Sequence, residues 1–165
     1  MAITGFNHNV RWSEFREVNQ RPANENEDAY IAVTFNYSYR TQTSRQHCRV
    51  ASVTTRISVN RNAAWVLRAQ KSAELLRHEQ GHYDITALGA REVHQRVADL
   101  SAAQCSSIAT EAQRIRGEVQ QTINQKNFRY DSQTSHGSNA TAQQRWQTSI
   151  RRAKQNAHGS LADLP

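Results

Sequence analysis

The chain has few of the residues from which large apolar cores and membrane spans are built. Its 165 residues include 4 Phe, 5 Tyr and 3 Trp, and its mean hydropathy is -0.82. No segment approaches the roughly 20 consecutive apolar residues of a membrane-spanning helix, so we expect no membrane span. Residues 1–6 carry neither the basic nor the apolar region of a signal peptide, so no export signal is visible.

Cysteine is also scarce, with one residue in each of two separate segments, Cys48 and Cys105. No C-x-x-C spacing is present to indicate a second metal site or a redox pair. From the residues alone two interpretations stay open: two buried thiols of an intracellular protein, or a disulfide formed in an oxidising compartment. The length fits a single domain, with a core over about residues 8–150 and a loose tail over residues 157–165.

Acidic residues are fewer than basic ones: the chain has 14 Asp and Glu, 21 Lys and Arg, and a net charge of +7. Such a charge favours anionic surroundings, for example a bacterial envelope, acidic polypeptides or nucleic acid. The basic residues are spread along the chain without a nucleic-acid motif, so we expect no nucleic-acid partner. A basic module that binds an acidic partner, with histidines holding a structural zinc ion, is the non-enzymatic interpretation that stays open.

The hydrophobic periodicity predicts an α+β fold in which a small antiparallel β-sheet precedes two long helices. Alternating aromatic and β-branched residues indicate strands over residues 29–40 and 48–59, joined by a polar segment over residues 41–46. From Trp65 the apolar spacing becomes helical. The remaining predictions are a short strand or helical turn over residues 10–18, helices over residues 65 to about 100, 102 to about 125 and 141–154, and a non-helical stretch over residues 127–139.

The run His78-Glu79-Gln80-Gly81-His82 is an H-E-x-x-H signature inside the first predicted helix. Two histidines four residues apart lie on one helical face, where neutral imidazoles can bind one zinc ion while Glu79 stays free to transfer protons. Apolar residues continue this face, so we expect at least one imidazole to point into the interior, where a metal is its natural partner. Gly81 costs about 1 kcal/mol in a helix relative to alanine, which indicates a close approach by another segment or by substrate.

One zinc ligand is missing from this helix, because a catalytic zinc ion usually takes three protein ligands and a water molecule. The metzincin pattern would place a third histidine at position 88, which is Leu88, so that class is excluded. Glu111 or Glu118 on the second predicted helix could serve, as a glutamate does in thermolysin-like enzymes. The other candidate is His136, in a predicted loop whose turns could aim its side chain at a metal.

Further motifs accompany the H-E-x-x-H helix over most of the chain. They are Trp12-Ser13-x-Phe15, Cys48-Arg49-Val50, Trp65, Leu76-x-His78-Glu79-x-Gly81-His82-x-x-Ile85, Cys105, the segment from Tyr130-Asp131 to Thr134-x-His136-Gly137, and Gln144-x-Trp146. In this combination the chain resembles the bacterial family known as domain of unknown function 922, described as predicted secreted zinc-dependent proteases.

This resemblance implies a zinc metallopeptidase that acts on protein or peptide substrates and is secreted or periplasmic. A cytoplasmic location stays open, since no signal peptide is visible. By resemblance the metal ligands are His78, His82 and His136, the general base is Glu79, and a disulfide joins Cys48 to Cys105.

The expected mechanism is metal-assisted hydrolysis of a peptide bond by a monomer. Zinc would polarise the scissile carbonyl and lower the pKa of a bound water, while Glu79 would pass a water proton to the leaving amine. Tyr130 or His94 would donate to the oxyanion, and Tyr130 is preferred because it lies in the same predicted loop as His136. Asp131 would orient a ligating histidine. The alternative on the same site is an envelope hydrolase that cleaves peptide or amide bonds of peptidoglycan.

Overall fold

The computed structural model describes residues 2–44 and 47–165, in which most strands precede the helices. The predicted α+β class is therefore confirmed. The strands are β1 (Ala2–Thr4), β2 (Arg16–Val18), β3 (Ala29–Tyr30), β4 (Val33–Ser44), β5 (His47–Val59), β6 (Trp65–Leu67) and β7 (Ser101–Ala102), and the helices are α1 (Ala73–Ala98), α2 (Cys105–Thr134) and α3 (Ala140–Gln155).

The larger sheet is built on the hairpin of β4 and β5, and its strand order is β1-β5-β4, with β7 also paired to β5. The hairpin is antiparallel, as predicted, and carries a bulge between Arg40 and Thr41. However, β1 runs parallel to β5, so the sheet is mixed and the prediction of a purely antiparallel sheet was wrong. Residues 41–44 of the predicted polar connection belong to β4, and Arg45 and Gln46 lie outside the described residues.

A second sheet of three short strands, in the order β2-β6-β3, corrects the predicted start of the first helix. Trp65 and Val66 are buried and pair with β2 on one side and β3 on the other, so residues 65–67 form a strand and not a helical turn. The helix begins after Ser72, whose side chain accepts a hydrogen bond from the Leu75 amide at 3.0 Å. The strand predicted over residues 29–40 is divided between the two sheets at residues 31–32.

Helix α1 lies at the centre of the molecule, between the larger sheet and the other two helices. Residues 85–91 are all buried, so this part of α1 is covered on every side. An ideal Cβ on Gly89 would overlap Ile123 of α2, which shows how closely the two helices approach. Within residues 2–44 and 47–165, no helix is long and apolar enough to cross a membrane.

Helix α2 is longer than its apolar pattern predicted, because it continues to Thr134. The predicted non-helical stretch over residues 127–139 was therefore wrong for its first eight residues. The chain leaves the helix through Ser135 and His136, which have φ angles of 48° and 52°, and through Gly137 at 86°. Tyr130 and Asp131 consequently lie on α2 and not in a loop.

The C-terminal tail is packed against the core, contrary to the prediction of a loose tail over residues 157–165. Leu161 and Leu164 are buried. The buried guanidinium of Arg91 donates to the backbone carbonyls of Ala153 and Gly159, which ties the end of α3 and the tail to α1. Hydrophobic periodicity did not predict these contacts, because the tail is too short to show a repeating pattern.

A disulfide joins Cys48 at the start of β5 to Cys105 at the start of α2. Their Cα atoms are 5.3 Å apart and the two residues are 57 positions apart in the chain. The disulfide therefore links the sheet to the helix that follows α1, and it indicates folding in an oxidising environment.

Replacing both Cys48 and Cys105 by alanine should lower the free energy of unfolding by about 4 kcal/mol, because the crosslink restricts a long loop of the unfolded chain. Urea unfolding of the variant and of the wild type measures this difference. Thiol titration of the unreduced, denatured wild type should detect no free thiol. Two titratable thiols, together with unchanged stability, would contradict the disulfide.

Candidate metal centre

Helix α1 supplies the first three side chains of the candidate centre. His78 and His82 are one helical turn apart on the face that packs against α2, with Glu79 beside them. The Nε2 atoms of the two histidines are 3.2 Å apart. Both rings therefore point Nε2 at one place, and the predicted binding of a metal there stays a prediction.

Helix α2 places Asp131 at the same position. Its Oδ1 atom lies 3.1 Å from Nε2 of His78 and 2.9 Å from Nε2 of His82. Asp131 was predicted to orient a ligating histidine without binding the metal itself. In the structure its carboxylate instead faces Nε2 of both histidines, which makes Asp131 a candidate third ligand.

Two amide side chains orient the histidines by contacting their Nδ1 atoms. The Nδ1 atom of His78 lies 3.2 Å from Oε1 of Gln143 on α3, and Nδ1 of His82 lies 2.8 Å from Oδ1 of Asn127 on α2. Because an amide oxygen only accepts hydrogen bonds, each Nδ1 carries a proton, so the neutral form of each histidine has the lone pair of Nε2 available for a metal ion.

Sequence reasoning missed both amides. Asn127 could have been found from its spacing of four residues to Asp131, had α2 been extended past residue 125. No local signal identifies Gln143, because it reaches His78 only through the packing of α3 against α1.

When both histidines are neutral, Nε2 of His78, Nε2 of His82 and Oδ1 of Asp131 form a triangle of three acceptor atoms, which a proton or a metal ion stabilises. The pKa values of the apo site reflect this stabilisation. Burial lowers the pKa of His82, but the hydrogen bond and charge of Asp131 outweigh burial and raise it to about 9. Burial raises the pKa of Asp131, but hydrogen bonds from His78 and His82 outweigh it and hold that pKa well below its usual range. The site thus favours a positive charge at its centre.

The donor set fits a zinc ion in type and in size. Ligand atoms about 2.0 to 2.1 Å from a tetrahedral zinc ion lie about 3.3 Å from one another. The three distances in the triangle are 2.9, 3.1 and 3.2 Å, and imidazole nitrogen and carboxylate oxygen are both common zinc ligands. The triangle therefore has the dimensions of one face of a zinc tetrahedron.

Glu79 lies next to this triangle and is only 2% exposed. Its Oε2 atom is buried and has no hydrogen-bond partner among the described residues. Burial raises the pKa of Glu79, although the neighbouring His82 and His78 lower it in part. A buried carboxylate oxygen without a partner is costly, and its presence here is readily explained if it accepts a proton or a hydrogen bond from a bound molecule.

His136 lies on the outer side of the cluster, with 55% of its side chain exposed. Its Nδ1 atom is 3.2 Å from Oε1 of Glu27 and 3.9 Å from Oδ1 of Asp131. Ligand atoms of His78, Asp131 and His136 lie within 4.8 Å of one another, so the structure does bring His136 to the site. Its predicted role as a ligand stays a prediction.

Tyr130 lies beneath the cluster, where it packs on α1. Its ring stacks on His78 at a centroid distance of 4.7 Å, and its hydroxyl donates to the His78 carbonyl oxygen while accepting from Gln143. This hydroxyl has no second proton to donate, so its position does not fit the predicted role of oxyanion donor. The other candidate, His94, is bonded to Thr55 in the sheet and is not part of the cluster.

The alternative ligands Glu111 and Glu118 lie away from the cluster, on the exposed surface of α2. Glu111 pairs with Arg114, and Glu118 pairs with Arg114 and, at 2.8 Å, with Arg96. Neither Glu111 nor Glu118 therefore reaches the two histidines, and the α2 carboxylate that does is that of Asp131.

The close approach of α1 and α2 explains the glycine of the signature. An ideal Cβ on Gly81 would lie 2.5 Å from Cζ of Tyr130 and would also overlap its hydroxyl. The sequence-based expectation of a close approach at this glycine is confirmed, and the approaching group is a side chain of the same protein.

One comparison identifies relatives of this chain. The model of a family described as "Bacterial protein of unknown function (DUF922)" matches residues 10–137. No curated protein and no solved structure matches the chain. The matched region includes the triangle, Glu79, His136 and both cysteines, and it ends before Gln143.

Gly81→Ala should lower the free energy of unfolding by roughly 1–3 kcal/mol, because the new methyl group overlaps Tyr130. The matched control is Gly117→Ala on α2, where a Cβ meets nothing within 4 Å. This control should gain about 0.5 to 1 kcal/mol from helix propensity. Chemical denaturation measures both changes. Equal stabilisation of the two variants would contradict the described packing of Tyr130.

Proposed function

This chain belongs to the DUF922 family, whose function is unknown, and we propose from the site itself that it is a zinc-dependent hydrolase of peptide bonds. The observation that carries the proposal is the unpaired, buried Oε2 of Glu79 beside three converging acceptors of His78, His82 and Asp131. A general base next to a metal site is the arrangement that hydrolysis of an amide requires.

In the proposed reaction, His78, His82 and Asp131 would hold the zinc ion and Glu79 would transfer the protons. Zinc supplies Lewis acidity, which polarises a carbonyl group and lowers the pKa of water. Glu79 accepts a proton from the attacking water at its unpaired Oε2 and returns it to the leaving amine. Gln143 and Asn127 keep the two imidazoles in the orientation and protonation state that binding needs.

Three protein ligands leave one position of a tetrahedral ion open, which favours a catalytic over a structural site. The alternative is a structural zinc ion in a basic binding module, and the position of His136 supports it. If His136 becomes a fourth ligand beside Asp131, the site is closed and no position remains for water or substrate.

The disulfide between Cys48 and Cys105 supports a location outside the cytoplasm, in the periplasm or in the medium. Within that location two substrate classes remain for the same site, namely proteins or peptides and the amide bonds of peptidoglycan. The net charge of +7 favours encounter with an anionic cell wall.

Purified wild-type protein should bind one zinc ion per chain, measured by elemental analysis. Asp131→Ala should lose the zinc, because it removes a ligand. Glu79→Gln should keep the zinc and lose hydrolysis of casein or of cell walls by about a hundredfold or more, because it removes the general base. Glu111→Gln is the matched control on the exposed face of α2 and should change neither property.

X-ray absorption of the zinc-loaded protein separates the proposal from its alternative. Three protein donors plus water, unchanged in His136→Ala, support the hydrolase. Four protein donors, with one lost in His136→Ala, support the structural site. Absence of stoichiometric zinc, or equal zinc binding by Asp131→Ala and wild type, contradicts both.

Asn127→Ala should weaken zinc binding about 10- to 100-fold, because Nδ1 of His82 loses the acceptor that fixes its orientation. Asn127→Asp keeps an acceptor at this position and should restore the affinity. Asn124→Ala, one helical turn earlier, is the control and should leave the affinity unchanged. Competition with a chromophoric chelator measures the dissociation constants, and equal values for all variants would exclude an orienting role for Asn127.

A further inference from the structure

A cleft of about 380 Å³ opens beside the candidate metal centre and is bounded by three elements. Glu79 and His82 of α1 form its inner end, together with Asp131 of α2. Further along, Tyr30, Ile31 and Val33 form one wall, and a row of side chains on α2 forms the other. The unpaired Oε2 of Glu79 belongs to the inner end, so the cleft leads directly to the proposed general base.

The charge of this cleft is opposite to that of the whole protein. Among the described residues that line it there is no lysine or arginine, whereas three carboxylates, Glu27, Glu79 and Asp131, are present. Arg116 contacts one lining residue, since its guanidinium donates to Gln120, and it also lies over the ring of Phe35. Even with a divalent ion at the centre, the lining carries no excess of positive charge.

The α2 wall is polar but uncharged. Gln120 and Asn124 follow each other by one turn, and Gln120 donates to Oδ1 of Asn124 at 2.8 Å. This bond leaves the N–H groups of Asn124 to donate to a carbonyl oxygen of a bound chain. Below the amides the nearly buried Ile31 and Ile123 supply an apolar floor. Neutral amides above an apolar floor match a peptide backbone with an uncharged side chain.

We propose, on the basis of the hydrolase function above, that this cleft selects peptides that are neutral or basic around the scissile bond and rejects acidic ones. A carboxylate on the substrate would face three carboxylates of the protein, and among the described lining residues no lysine or arginine would compensate it, while the charge of a divalent ion is already balanced by those carboxylates. The acidic peptides of an anionic cell wall are therefore poor substrates, even though the basic outer surface attracts them.

The test uses blocked alanine peptides in which each position in turn carries Gln, Lys or Glu. Binding is measured by calorimetry on zinc-loaded Glu79→Gln protein, which does not turn the peptides over and keeps Glu27 and Asp131, and kcat/KM is measured on the wild type, which keeps all three carboxylates. At the positions that occupy the cleft, Glu peptides should bind at least tenfold more weakly than Gln peptides, and Lys peptides should bind as well as Gln peptides or better.

Asn124→Lys, combined with Glu79→Gln, should reduce or reverse this discrimination, because it adds a cation to the cleft wall. The matched control, Gln125→Lys, adds the same charge on the next residue, which lies outside this cleft, and should leave the preference unchanged. Equal binding of Gln and Glu peptides, an equal effect of the two lysines, or no binding of any peptide overturns the proposal.

Failure of the proposed function has a different signature. In that case the wild type lacks zinc or hydrolyses nothing, while the comparison of Asn124→Lys with Gln125→Lys still reports the charge preference of the cleft. Intact zinc binding and hydrolysis without charge discrimination overturn the cleft proposal alone.

Discussion

The close approach of α1 and α2 at Gly81 and Tyr130 is the constraint on which the rest of the site depends. The missing side chain at Gly81 lets the tyrosine ring lie against the helix backbone and stack on His78. This contact sets the distance between α1 and α2 in the part of their interface that contains the candidate metal centre. At that separation Asp131 reaches both histidines with a single oxygen atom. A larger residue at position 81 would move the ligands apart without changing any of them.

The interface between these helices changes character along its length. Towards the middle of α1 it is apolar, with Gly89 against Ile123. Towards the start of α1 the same interface contains imidazole, carboxylate and amide groups that bond to one another, whereas Oε2 of Glu79 has no partner among the described residues. A protein of few aromatics thus gives up part of its limited core to polar groups, and polar networks of this kind are expected where function requires them.

The outer surface and the cleft beside the metal centre carry charges of opposite sign, and these charges act over different distances. The net charge of +7 lies on the outer surface and acts at long range, where it determines which surroundings the protein approaches. The carboxylates beside the metal centre act at short range, where water is partly excluded and each charge counts more. The disulfide is consistent with a setting outside the cytoplasm, since it holds the sheet to α2 only under oxidising conditions.

Periodicity and spacing determined much of this protein. Alternation predicted the β4–β5 hairpin, helical spacing predicted most of α1 and of α2, and the H-E-x-x-H spacing placed both histidines on one face, because each of these signals arises from local geometry. Hydrophobic periodicity did not predict the helix over residues 127–134. Polar side chains of this segment face the candidate site, so its sequence resembles that of a loop. Asp131, Gln143 and Glu27 join the histidines from segments distant in the chain. Only tertiary packing decided these contacts, because it sets how two helices approach and which polar groups meet between them.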